Sequence, residues 1–185
     1  MVSSSTKKLL IGTLPPEGVT FYFSNSSNTR LWDILSALNN QTPIIGQGGN
    51  KLSDIEKTKV LENLNLGISD IIYGYERDDY ESTKDIDIQP NEYSNLLKLA
   101  HDNEIDELLF VYQSALKWFI HSLKNESPVR LKKIREKYNV GLQGNINYKG
   151  KSIKCVLLPS PLNRGRKGET LEYKLSYYKK YILGY

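Results

Sequence analysis

The chain is short of the residues on which most metal and redox chemistry depends. Of its 185 residues, one is cysteine, one methionine and two histidine. A lone thiol, Cys155, forms no intrachain disulfide, and four-cysteine zinc or iron–sulfur ligation is excluded. Cys155 lies inside the apolar run "KCVLL", where a small core residue is the expected role. His101 and His121 fall in helical segments away from the polar loops, so they are read as surface or packing residues. No apolar run is long enough for a membrane-spanning helix. The start, "MVSSSTKKLLIGT", lacks the apolar stretch of a secretory signal, so the protein is expected in the cytoplasm. Two further signatures are missing. "GQGG" at 46–49 has no Lys-Ser/Thr after it, which a phosphate loop needs, and no G-x-S-x-G elbow of a serine hydrolase occurs.

What is present is an ordinary globular composition, 39% hydrophobic and 25% charged, in a length that fits one domain over residues 1–185. A domain of this size buries enough apolar surface to fold without disulfides or metal. The net charge of +4 is unevenly placed. Residues 1–100 carry nine Lys and Arg against thirteen Asp and Glu, and residues 101–185 carry sixteen against eight. A basic half beside an acidic half fits a polyanionic partner such as nucleic acid.

Hydrophobic patterning alternates between strand and helix. "KKLLIGT" (7–13), "ISDIIYGY" (68–75), "IDELLFVY" (105–112) and the end of "NINYKGKSIKCVLLP" (145–159) read as strands, the last reached through a hairpin or extended segment. Between them, helices are predicted over 28–40, over 53–67 with a Ser53/Glu56 capping box and Gly67 as its stop, over 91–103 and over 114–123. Two more are predicted, over 127–141 from Ser127 and Pro128, and over 169–182. This alternation predicts an α/β fold, a three-layer α/β/α sandwich around a central, mostly parallel four-stranded sheet. In such folds ligands bind beyond the carboxyl ends of the strands. The loops that leave those ends are therefore the candidate site.

The most informative of them is "PSPLNRGRKG", residues 159–168. Flanking prolines restrict the backbone around Ser160, and Asn163, Arg164, Arg166 and Lys167 are suited to phosphate contacts. Leu162 stands among them as an apolar side chain that can act as a wedge between bases. In the first loop, "VTFYFSNSSN" sets aromatics beside small polar residues, a slot for a flat ligand or else a core strand followed by a helix cap at Asn25 or Asn28.

"PSPLNRG" closely resembles the second signature of the uracil-DNA glycosylase superfamily. "LLIGTLPPEGVTFYFSNSSNTRLWDIL" resembles its first signature in the mismatch-specific and hypoxanthine-type branches: a strand, a G-x-x-P turn, an aromatic pair, then N-x-x-W opening a helix. "LGISDIIYGYERDDYES" is similar to a hypoxanthine-type segment with an aspartate in the strand and an arginine beyond it. The resemblance covers roughly residues 8–166. It implies a monofunctional, metal-free and cofactor-free DNA glycosylase of base excision repair, a monomer that flips uracil, hypoxanthine or a mismatched base out of DNA and hydrolyses its N-glycosidic bond. Gly12, Thr13, Leu14 and Pro15 would line the base pocket, with Tyr22 and Phe23 stacking on the base. Ser160, Leu162, Asn163, Arg164, Arg166 and Lys167 would hold the DNA, with Leu162 filling the gap in the stack. Asn28 matches the catalytic asparagine of the hypoxanthine-type branch, and Asp70 is the second catalytic candidate. No lysine stands in a signature loop to form a Schiff base, so lyase chemistry is not expected. The sequence departs from the superfamily where Leu14 and Leu158 replace residues that other branches use for acid–base work or water positioning. Those departures favour the alternative, a catalytically inactive nucleic-acid-binding module on the same fold.

Overall fold

A computed structural model describes residues 2–14, 29–39, 52–77, 88–123, 130–131, 139–162 and 169–185. The chain begins with β1 (Lys8–Gly12), α1 (Leu31–Leu38), α2 (Asp54–Asn63) and β2 (Leu66–Asp70). Next come β3 (Ile72–Arg77), β4 (Ile88–Tyr93), α3 (Leu96–Asp102), β5 (Glu107–Phe110) and α4 (Gln113–Leu123). It ends with β6 (Arg130–Leu131), β7 (Gly141–Tyr148), β8 (Lys151–Leu157) and α5 (Leu171–Ile182).

Among the described residues the main sheet has six strands in the order β2-β1-β5-β8-β7-β6. The four from β2 to β8 are parallel, as the alternating pattern predicts. The sheet then continues through two antiparallel strands, β7 and β6. β3 and β4 form a separate two-stranded ribbon.

Strand alternation builds the three layers. Leu9 and Ile11, Leu108 and Phe110, and Ile153, Cys155 and Leu157 face one side, where Leu97, Ala100, Leu116 and Phe119 of α3 and α4 cover them. Leu10, Ile68, Leu109 and Val156 face the other, against Leu31, Ile34 and Leu35 of α1, Val60 and Leu61 of α2, and Tyr178 and Ile182 of α5. Strands buried on both faces read as continuous apolar runs, which is why "LLI" and "CVLL" lack alternation.

Local chemistry fixes the ends. In the predicted capping box, the Glu56 N–H donates to Ser53 Oγ at 3.3 Å and the Ser53 N–H to Glu56 Oε2 at 2.7 Å. Thr170 caps α5 by accepting from the Tyr173 N–H, and Asn95 caps α3 by accepting from the Lys98 N–H. The β7–β8 hairpin turns through Lys149 and Gly150, at φ 47° and 85°. Two residues at positive φ between paired Tyr148 and Lys151 make the primed turn that matches strand twist.

Four local expectations are corrected. Gly67 does not stop α2; the helix ends at Asn63, Asn65 takes a left-handed φ of 53°, and Gly67 belongs to β2. "ISDIIYGY" is two strands, because the chain leaves the main sheet after Asp70 and residues from Ile72 pair instead with β4. Residues 91–93 are the end of β4 rather than a helix start. Within the predicted helix over 127–141, Arg130 and Leu131 are instead a strand paired with Asn147 and Ile146. The partner strand, invisible in local sequence, overrides helical propensity there.

Candidate functional site

The carboxyl ends of the four parallel strands bring Asp70 of β2, Gly12 and Thr13 of β1, Val111 after β5 and Leu158 after β8 to one edge. Gly12 and Asp70 are direct register partners. They continue the side of the sheet on which Leu10 and Ile68 meet α1, since strand residues two apart share a face.

Asp70 is 6% exposed, and its Oδ2 is buried with no hydrogen-bond partner among the described residues. Removal from water penalises the carboxylate, and the acid's pKa is pushed up to about 7. A carboxyl that exchanges its proton near neutrality is suited to general acid–base work. The Gly12 and Thr13 carbonyls accept from the Ile71 and Ile72 N–H groups at 3.2 and 2.9 Å, which fixes the turn that follows Asp70. Leu14 is partly buried against the core beneath α3 and α4.

The last strand leaves the sheet under firm restraint. The Leu158 N–H donates to the Phe110 carbonyl at 2.8 Å, and the buried Tyr178 hydroxyl donates to the Pro159 carbonyl at 3.2 Å. The Arg30 N–H donates to the Pro161 carbonyl at 2.8 Å, and Thr29 and Leu162 form an antiparallel bridge. Lys174 donates from Nζ to the Leu162 carbonyl at 2.5 Å. The Leu162 N–H reaches Ser160 Oγ at 3.4 Å. Leu162 itself remains 39% exposed. Its backbone is held from two sides while its side chain stays part exposed.

Thus Gly12 and Asp70 share the α1 side of this edge, Leu14 packs toward α3 and α4 on the other, and Ser160 and Leu162 lie where the last strand meets the start of α1. Pro15, Tyr22, Phe23, Asn28, Asn163, Arg164, Arg166 and Lys167 lie outside the described residues. Arg30 stands at the cap position of α1 without a side-chain cap bond, and Thr29 Oγ1 accepts from the Leu31 N–H at 3.4 Å. Leu158 is 1% exposed in the core, so it takes no part in chemistry. Cys155 is likewise buried, its thiol pushed up to about 12 by desolvation. His101 sits against Asp102 and Tyr148, near the hairpin turn at the opposite end of the sheet. Among the described residues no group of three or more His, Cys, Asp or Glu side chains is placed to hold a metal ion. Nor is any helix among them long and apolar enough to cross a membrane.

Lys174 is the residue that the sequence reading passed over. It is 2% exposed, and desolvation depresses its pKa. A signal was available: Lys174 occupies an apolar position of α5, three residues after Leu171 and four before Tyr178. A lysine in such a stripe marks a buried cation in need of an acceptor.

The fold is that of a three-layer α/β protein, with the candidate residues at the carboxyl ends of its parallel strands. No known family model matches the chain, and no curated protein matches it.

Proposed function

We propose that the protein is a monofunctional DNA glycosylase of the uracil-DNA glycosylase type, acting as a cytoplasmic monomer in base excision repair. In this reading it flips a deaminated or mismatched base into the edge beside Gly12 and Asp70, and hydrolyses the N-glycosidic bond. The observation that carries the reading is the bridge between Thr29 and Leu162. It joins the residue after Asn28 to the wedge residue, so the segment proposed for catalysis and the segment proposed for base extrusion act as one unit.

Each residue then has a physical task. Leu162 enters the stack as the base leaves it, offsetting part of the few kcal/mol that extrusion costs. Asn28 positions water and the base edge through its amide. Asp70, with its acid poised at about 7, accepts the proton of the attacking water. The basic residues Arg164, Arg166 and Lys167 meet phosphates.

Duplexes carrying uracil, hypoxanthine, xanthine or thymine opposite guanine test the proposal. Alkali-labile abasic sites formed by the native chain and lost in Asn28→Ala are the expected result. Salt-sensitive binding with no cleavage of any lesion would overturn it in favour of the inactive module, a reading that the buried Leu158 favours.

A further inference from the structure

α5 has two faces of different character. Lys174, Tyr178 and Ile182 are buried against the sheet. Along the adjoining flank, Tyr173, Tyr177 and Tyr181 recur every four residues and are partly buried, Tyr181 packing against the core, and Tyr185, 82% exposed, follows four residues later beyond the end of the helix. Residues four apart stack along one helix face. The Tyr173 and Tyr177 ring centroids lie 4.9 Å apart, and those of Tyr177 and Tyr181 6.5 Å apart with planes within 25°.

Ammonium groups line this ladder. Lys180 Nζ and Lys154 Nζ lie 5.5 and 5.6 Å from the Tyr181 ring centre, and Lys179 Nζ lies 5.7 Å from that of Tyr185. Lys154 is paired with Glu107 at 3.3 Å, but Lys179 and Lys180 enter no ion pair among the described residues. α5 carries three lysines against the single acid Glu172.

We propose that the tyrosine face of α5 is a docking track for a single strand of nucleic acid, with bases on the rings and phosphates on Lys179 and Lys180. Charge complementarity selects a polyanion, and the aromatic row selects one with planar groups to stack. The geometry selects single over double strands. Successive rings of the ladder are 4.9 and 6.5 Å apart. Bases stacked along one strand of a duplex are separated by about 3.4 Å, and their faces are covered. Only a strand whose bases have come apart can follow the ladder. The track begins beside the restrained loop, because Lys174, next to Tyr173, holds the Leu162 carbonyl. This assignment rests on the nucleic-acid reading of that loop, but not on base excision.

The test uses the full chain, a labelled oligothymidylate and a duplex of equal length, with Tyr177→Leu, Tyr181→Leu and the Lys179→Gln/Lys180→Gln pair. Leucine keeps apolar packing while removing the ring, and melting curves verify folding. Each ring loss is expected to weaken single-strand binding about five-fold or more. The lysine pair is expected to flatten the dependence of log affinity on log salt by about 1.4, or about 0.7 per charge. Tyr73→Ala, at an exposed tyrosine on β3, is expected to change nothing. Binding by folded Tyr177→Leu and Tyr181→Leu equal to the native chain overturns the proposal, as does heparin competing as well as the oligonucleotide. A chain that excises no base but loses single-strand binding in these variants still supports it. A chain that excises bases while both variants bind normally overturns the track alone.

Discussion

The backbone N–H of Arg30 donates to the carbonyl of Pro161 at 2.8 Å. This bond ties the start of α1 to the segment that leaves β8, two places far apart in the chain. Each alone is a loop on the rim of the sheet. Joined, and reinforced by the Thr29–Leu162 bridge, they form one hydrogen-bonded contact. Functional loops depend on such anchoring, because a site displaced by about an ångström loses much of its activity.

Lys174 and Leu162 are expected to act as a pair. Lys174→Met removes the donor to the Leu162 carbonyl while keeping most of the buried stem. Folding stability is expected to change by less than about 1.5 kcal/mol, since the charge no longer needs burying and the freed carbonyl belongs to a part-exposed residue. Leu162→Ala is expected to be similarly mild, whereas Leu158→Ala, in the core, should cost about 2–5 kcal/mol. If Lys174 positions the wedge, excision rates of Lys174→Met, Leu162→Ala and the double variant fall together rather than multiplicatively. Lys174→Arg is expected to recover part of the loss. Fully additive losses in the cycle would separate the two residues.

Ser53→Ala isolates a purely local contribution. The Ser53–Glu56 capping box lies on the exposed start of α2. Its loss is expected to cost about 1 kcal/mol in chemical denaturation.

The contrast between that cap and Lys174 shows what a sequence discloses. Periodicity in "LWDILSAL" and the capping box are written in neighbouring residues, so α1 and α2 were legible. The parallel core was legible as well, because doubly buried strands are short apolar runs. β6 was not, since Arg130 and Leu131 owe their conformation to Ile146 and Asn147 on another strand. The carboxyl edge could be located from the fold class, and Asp70 and Leu162 from the resemblance. The tether between Lys174 and the Leu162 carbonyl is a side-chain-to-backbone contact made after folding, and only the misplaced charge in an apolar stripe hinted at it.

Cys155 is expected to be silent. With its thiol buried and pushed up to about 12, the thiolate population near neutral pH is negligible. A thiol-directed reagent should label the native chain only as fast as it opens, and label it at once in denaturant. Rapid stoichiometric labelling under native conditions would contradict the burial of β8.

Asp70 is expected to make the folded chain less stable as pH rises through the acid range. The unfolded carboxyl loses its proton near pH 3.9, whereas the folded one keeps it up to about 7. Between these values the native state binds more protons than the unfolded state, so stability falls with increasing pH. The stabilising contribution is complete below about pH 4 and is lost by about pH 7, a change on the order of a few kcal/mol. Asp70→Asn cannot ionise and escapes this loss. Urea midpoints at pH 4.5, 6 and 8 should therefore diverge, with Asp70→Asn close to the native chain at the lowest pH and more stable at the highest. Exposed carboxylates such as Asp102, held below its usual range by Lys98 and His101, contribute equally to both proteins and cancel in the comparison. Excision should move in the opposite sense if Asp70 is the base: the native rate rises as the carboxyl ionises, and Asp70→Asn lacks that limb. The same buried carboxyl then costs stability at the pH where it serves catalysis, a trade expected of a working site and not of a packing residue.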